Sequence, residues 1–513
     1  MKQWLAPAHL VMTLVLIIWN VVLAGRIAQL RHATRPFATV TALAGLLLLP
    51  AFIVAIATTT LITGRAIAAI DWVWPATIVL FTVQSVYAIA RRLVNPLVGY
   101  PIAFYNALLA IASVSRFMSA HGADLPRPLL VIMAAQVDAL ALVTTDAAIV
   151  SPFFLHVPLI SPAFPAISRL TAGFRVAAGT IALAWLGIIM AEIPRADQAL
   201  DSYDSHADDR LTERPTGFAV GLKIFPDIER PPSTAAVRAD LETLAWTRVN
   251  ALNVVFVPGA SAIAIDSVAR AIDRLPRDSM VIIATIGYGG KLLPELGRVP
   301  LDPESRLRTI DRVIRQVRPD VILPAQDPYG LGARILGRLP VETWQDYHVR
   351  ASELVKRLRP RTRVGLAASA FDGRDSTLYA WAAAPESPID VLGFSFYPTR
   401  LGARSMDAGL RAVDRWLRVH PPEKPHWVFG AGGYPLAHGE VSQERAVWAT
   451  LSWATARLPV RGLVVTEAND YGQSMGVRTP TGRYRDAAAS VRRAVNSLRE
   501  TFRERAALLP ATP

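Results

Sequence analysis

The rhythm of apolar and polar positions changes near residue 195. Before it, apolar residues come in runs of ~20, the length that crosses a bilayer as a helix. Six such runs lie at 5–25, 37–63, 70–90, 97–119, 128–151 and 176–193. They predict an all-α transmembrane bundle over residues 1–195. Between the fifth and sixth runs, Pro152, Pro158, Pro162 and Pro165 interrupt an apolar stretch. Proline at that density breaks helices, so 151–169 reads as an interfacial or re-entrant loop.

Residues 196–215 are different again. Asp197, Asp201, Asp204, Asp208 and Asp209 crowd around His206, at a spacing that fits no calcium or zinc motif. They read as a polar linker. From 216 to 508 short β-branched or apolar runs recur, beginning near Phe218, Leu252, Met280, Asp320, Arg363, Asp390, His426 and Gly462. Amphipathic segments separate them. One carries Val237, Leu241 and Leu244 on a single stripe, and another carries Ile310, Val313 and Ile314. Strands alternating with helices pair in parallel through crossovers. Eight such units match a (β/α)8 TIM barrel. The expected fold is therefore a multi-domain membrane protein, an all-α bundle followed by an α/β barrel. The rival, an open doubly wound sheet, would usually carry a Gly-rich phosphate turn. Gly287-Tyr-Gly-Gly290 and Gly430-Ala-Gly-Gly433 lack that spacing and read as tight loops.

Composition supports the division. Residues 1–195 hold 12 Lys/Arg against 5 Asp/Glu, and the remainder 42 against 36, so the net charge of +13 forms no concentrated basic stripe. Nucleic-acid binding is not implied. In the first part the cations sit in loops: Arg26, Arg31 and Arg35, then Arg91 and Arg92, then Arg169 and Arg175. The positive-inside rule puts these loops in the cytoplasm and both termini, with the barrel, outside. Trp4, Trp72 and Trp74 suit interfacial anchoring. The first apolar run lacks a small-residue cleavage site, so it reads as a span rather than a cleaved leader. There is no cysteine, which excludes disulfides, thiolate metal sites and cysteine nucleophiles. Gln136, Asp138 and Asp146 in the fifth run, and Arg116 in the fourth, either hydrogen-bond within the bundle or mark an intramembrane site.

Polar and aromatic side chains gather where the strand runs stop, the end of a barrel that carries active sites. Lys223, Asp227 and Glu229 follow the first strand and Tyr288 the third. Gln326, Asp327 and Tyr329 follow the fourth, Ser395 and Tyr397 the sixth, Tyr434 the seventh, and Glu467, Asp470 and Tyr471 the eighth. Tyrosine rings that stack on sugar C–H faces, beside carboxylates and amides that bind hydroxyls, form a setting for saccharides.

Three stretches also carry a resemblance: Pro319 to Gly330, Asp390-Val-Leu-Gly-Phe-Ser-Phe-Tyr-Pro398, and Lys424-Pro-His-Trp-Val-Phe-Gly-Ala-Gly-Gly-Tyr-Pro435. Over residues 216–475 the chain resembles the clan of barrel glycoside hydrolases with an acid/base after strand four and a nucleophile after strand seven. The resemblance implies Asp327 as the proton donor. Two departures stand out. Asp327 is one methylene shorter than the usual Glu, and Ala431 stands where the pattern places the nucleophilic Glu. Retaining hydrolysis needs two carboxyl groups about 5–5.5 Å apart, and Ala431 supplies none. Three readings follow. One is an inverting or rewired hydrolase with Asp327 as acid and Glu467 or Asp470 as base. The second is a glycan-binding pseudoglycosidase serving as a scaffold in polysaccharide synthesis or export. The third is a likeness of architecture alone. The expected partners are a cell-envelope or exported polysaccharide, the lipid bilayer and a membrane synthesis or export complex, and this chemistry calls for no metal or cofactor.

Overall fold

The computed structural model describes residues 35–58, 67, 69–120, 128–129, 132–133, 136, 158–159, 171–206, 217–228, 230–288, 300–397, 402–419, 423–435, 440–470, 475–479 and 481–508. The chain divides into two compact units that meet in sequence at Leu200 and Asp201.

In the first unit, helices Arg35–Ala57, Val73–Ala90 and Pro96–Ala120 pack around Ala51, Ala55, Trp74, Ile78, Leu109 and Ala112. Small residues at such contacts let helix backbones approach closely. Four described helices are long and apolar enough to cross a membrane: Arg35–Ala57, Val73–Ala90, Gly99–Met118 and Ala172–Glu192. They coincide with four of the six expected spans. The run at 5–25, most of 128–151, Asp138 and Asp146 lie outside the described residues. Only 11% of the apolar window in Ala172–Glu192 is buried, so its apolar surface faces outward. The helix continues through Ser205, into the stretch expected as a polar linker.

Several polar groups inside this unit are paired across helices. Asn106 donates to Ser85 Oγ at 2.7 Å and to the Leu159 carbonyl at 2.9 Å, and its Oδ1 accepts the Leu159 N–H at 2.9 Å. The non-helical backbone at Leu159, in the proline-rich segment, is thus satisfied by a side chain, as buried irregular backbone requires. Gln136 donates to Ser113 Oγ at 2.6 Å. Arg116 donates to the Ala55 carbonyl at 3.1 Å and to the Thr58 hydroxyl.

The second unit is a closed barrel of eight parallel strands in chain order. They are β1 Ala219–Ile228, β2 Ala251–Phe256, β3 Val281–Ile286, β4 Val321–Leu323, β5 Arg363–Ala368, β6 Val391–Phe396, β7 His426–Ala431 and β8 Val460–Val465. Each begins within two residues of its predicted start. Helices follow them, beginning with Thr234–Thr247 after β1 and ending with Asp486–Leu508 after β8. Several are capped as their sequences require. Ser233 accepts the Ala236 N–H, Ser261 the Ala264 N–H, and Asp302 the Ser305 N–H ahead of Pro303.

Strand register is pinned by one repeated device. Asn250 accepts the Val220 N–H at 2.8 Å, Asp320 the Ile282 N–H at 2.9 Å, and Asp390 the Val364 N–H at 2.7 Å. In each case the residue just before one strand holds the strand before it. Asp390, which opens the sixth-strand motif, is therefore a sheet staple.

Inward residues follow the period of two that a strand imposes. Ala219, Ala251, Ile283, Val321, Leu323, Ala367, Val391, Trp427, Phe429 and Val464 fill the lumen. Trp427 and Phe429 stack with centroids 6.2 Å apart. Gly393 makes room for them, since a Cβ there would sit 2.3 Å from the Phe429 ring. The barrel is a packed core up to its C-terminal end, where the next inward residues turn polar.

Candidate functional site

The polar layer begins at Lys223 on β1, which pairs in register with Asn253 on β2. Asn253 Oδ1 accepts the Thr285 hydroxyl of β3 at 2.9 Å. Lys223 Nζ lies 3.5 Å from Glu467 Oε1, with both side chains buried. The Ala468 N–H donates to the Lys223 carbonyl at 2.8 Å, which fixes the loop after β8 against β1. Lys223, Asn253 and Thr285 lie on the inward faces of β1, β2 and β3. Lys223 stands among the polar residues expected at the end of the first strand, and strand alternation could have added Asn253 and Thr285.

Asp327 follows β4 with φ +40°, and its carbonyl accepts the Gly330 and Gly332 N–H groups, each at 3.0 Å. Its side chain is 3% exposed, so it is enclosed rather than open to solvent. The Ser395 hydroxyl of β6 donates to Asp327 Oδ1 at 2.8 Å. Burial pushes the Asp327 carboxyl up to about 6, against the opposing pull of the Ser395 bond and the Lys223 charge. Asp327, Ser395, Lys223 and Glu467 thus share the inner C-terminal end of the barrel.

Tyr397 also belongs to this layer. Its hydroxyl lies 3.3 Å from Thr466 Oγ1, and burial, then the Asp327 charge, raises its phenol. Glu467 and Tyr434 act on it electrostatically as well. A register shift between β6 and β7 pairs Ser395 with Gly430 and Phe396 with Ala431. Gly430 consequently shares the inner face with Ser395, and Ala431 turns to the outer face with Phe396. A Cβ on Gly430 would sit 1.8 Å from the Tyr397 hydroxyl. The phenol fills the space from which an inward side chain at the end of β7 would start.

The remaining expected residues are placed differently. Asp470, expected as an alternate base, gives both oxygens to Arg485 at 2.8 and 2.7 Å, and Oδ1 also takes the Gly476 N–H at 3.0 Å. Both partners of this ion pair are buried, so both oxygens of the Asp470 carboxylate are engaged by Arg485. Tyr288 stacks on the Arg306 guanidinium at 4.8 Å, its hydroxyl against Gly332, in the junction behind the β4 loop. Burial raises its phenol. Arg306 is itself a staple that donates to the carbonyls of Gly287, Ile286 and Pro324. Tyr329 is packed, its hydroxyl donating to the Leu339 carbonyl at 3.2 Å, and burial pushes its phenol up to about 12. Gln326 is half-buried, and its Oε1 has no hydrogen-bond partner. Tyr434 is half-buried. The Asp227 side chain and Tyr471 lie outside the described residues. Among the described residues, no three His, Cys, Asp or Glu side chains form a group able to hold a metal ion.

No family model and no curated protein matches the chain. Solved structures similar to it include a β-glucuronidase from an uncultured Clostridium sp., at 13% identity over 55% of this chain and 50% of that one, with a TM-score of 0.41. A GH113 β-1,4-mannanase is 12% identical over 55% of this chain and all of that one, with a TM-score of 0.40. The β-glucuronidase of Ruminococcus gnavus is 16% identical over 53% of this chain and 49% of that one, with a TM-score of 0.39. The match thus spans about half the length of the two glucuronidases. At these scores the likeness carries no weight for activity.

Proposed function

We propose that this chain is a membrane-anchored, glycoside-hydrolase-like protein whose barrel acts on a cell-envelope or exported polysaccharide outside the membrane. The apolar helices and the cations of their loops support the anchoring and the orientation. One observation carries the chemistry. Asp327, kept by its enclosure as a carboxylic acid to about pH 6 and held by Ser395, shares a polar layer with the Glu467–Lys223 ion pair. Two carboxyl groups in unlike surroundings divide the work of acid and base.

In this reading Asp327 donates its proton to the glycosidic oxygen as the C–O bond breaks. Glu467 takes a proton from a water that attacks the anomeric carbon from the opposite face. The product is inverted, because Ala431 offers no carboxylate and Tyr397 fills the inner end of β7. Inverting enzymes place their carboxyl groups about 6.5–9.5 Å apart to admit that water. Ser395 and Tyr397 position the acid and the sugar, while Gln326 and Tyr434 flank the approach.

The test is release of reducing ends from envelope polysaccharides by the full chain in detergent. Asp327→Asn abolishes turnover in this reading, since the proton donor is lost. Equal release by both forms would refute it. A second reading, glycan binding without turnover in a scaffold for synthesis or export, is favoured by the enclosure of Asp327 and by the Gly430–Tyr397 contact. It expects glycan affinity in both forms and reducing ends from neither.

A further inference from the structure

Lys223 is the cation of this layer that the site does not yet explain. It is a buried ammonium on the inner face of β1, and neither of its neighbours in charge lies on its own strand. Glu467, after β8, is 3.5 Å away. Asp327, after β4, feels its charge across the lumen. An ammonium is a point charge with three donors on a flexible stem, and it stays in a buried place only when anions face it. The Glu467 contact is longer than the 2.7–2.9 Å of a tight charge-assisted bond. Lys223 therefore leans toward Glu467 without being consumed by it.

We infer that Lys223 is the positioning residue of this site: its ammonium, set between two carboxyl groups, holds Glu467 as the proton acceptor and leaves Asp327 as the donor. The geometry accounts for the division. Glu467 has the cation in contact. Asp327 has it at a distance, with the Ser395 hydroxyl as its near partner. Among the described residues, phenols also act on them. Tyr288 and Tyr397 lie near Asp327, and Glu467 and Tyr434 lie near Tyr397. Lys223 is a cation that acts on both carboxyl groups. Removing it lets both hold their protons to higher pH, so one proton no longer sorts cleanly between them. Its kinetic consequence rests on the hydrolase reading above, but its effect on the carboxyl groups does not.

The test uses the full chain in detergent with Lys223→Gln and Lys223→Arg. Protonation of Asp327 is followed by infrared titration of its carboxyl band, identified by its loss in Asp327→Asn. In the unsubstituted protein the midpoint is expected near 6. An opposite charge within ~4–6 Å moves a carboxyl by about 1–3 pH units, so Lys223→Gln should raise the midpoint by about one unit or less at the longer range of Asp327. Lys223→Arg should restore most of the difference, which a purely structural role would not. Where turnover is seen, both limbs of the pH–rate profile move to higher pH in Lys223→Gln. An Asp327 midpoint unchanged in Lys223→Gln, in protein whose thermal unfolding shows it folded, overturns the inference while leaving the hydrolase reading standing. A raised midpoint in protein that cleaves no glycan supports the role of Lys223 and removes the hydrolase. If Lys223→Gln fails to fold, Lys223→Arg decides by itself. A midpoint within a few tenths of a unit of 6 supports the inference, and a midpoint as high as full loss of the charge would give overturns it.

Discussion

Replacing Asp327 by Asn should stabilise the protein at neutral pH, because the native carboxyl is kept where its charge is costly. Burial raises it from 3.8 to about 6, a difference that corresponds to roughly 3 kcal/mol at about 1.4 kcal/mol per pH unit. The sign follows from proton linkage. Between these two values the folded state holds a proton that the unfolded chain has released, so stability falls as pH rises. Above about 6 the full cost is present, and below 3.8 it vanishes. Asn is neutral at every pH and its oxygen can still accept the Ser395 hydroxyl. The gain should therefore approach 3 kcal/mol at pH 7.5 and shrink to about 1 kcal/mol at pH 4.5, as an upper bound. For a domain of this size that is a rise in Tm of roughly 6 °C at pH 7.5. Thermal unfolding of the full chain in detergent at both pH values measures it. A loss of stability at pH 7.5, or a gain that does not shrink on acidification, would refute the reasoning.

Further substitutions probe the packing around the site. Gly430→Ala forces a methyl into the Tyr397 hydroxyl and should cost about 1–3 kcal/mol, with Tyr397→Ala recovering part of that loss in the double variant. Asp470→Ala takes away the carboxylate that faces the buried Arg485 guanidinium, which should cost about 3–5 kcal/mol in denaturant unfolding. Arg306→Met removes the fork from three strand-end carbonyls, of which Ile286 keeps the Gln326 N–H and Pro324 the Tyr347 hydroxyl, and should cost about 1–3 kcal/mol, with little recovery from Arg306→Lys, whose ammonium cannot reproduce the planar fork. His426, which shares a 2.8 Å bond with the Tyr379 hydroxyl, is held by burial down to about 4 from 6.5. The stability tied to its neutral form is present above pH 6.5 and is lost as pH falls toward 4. His426→Gln should therefore make unfolding less sensitive to pH across that window.

The barrel was legible in the sequence because its strands are short apolar runs at a steady spacing, with amphipathic stretches between them. Even β4, only Val321–Leu323, stood out between Pro319 and Pro324. What the sequence did not display is where each strand-end side chain turns. Counting alternate positions from Trp427 and Phe429 puts Ala431 on the inner face, yet a local shift in pairing reverses the last two residues of β7. The tyrosines are placed unevenly for a related reason. A ring at a strand end can pack behind a loop, as Tyr288 does on Arg306, or lie across the lumen, as Tyr397 does beside Thr466. Residue type does not distinguish these places. Asp470 advertises a carboxylate, but its partner Arg485 arrives only after an intervening turn. Lys223 stood among the strand-end polar residues, but only the fold brings it to the Glu467 carboxylate.

The most direct measurement is the anomeric form of freshly released sugar, read by proton NMR as the full chain in detergent cleaves an envelope polysaccharide, with Asp327→Asn alongside. The account predicts an inverted product from the unsubstituted protein and none from the variant. A retained product, or equal cleavage by the two proteins, would contradict it.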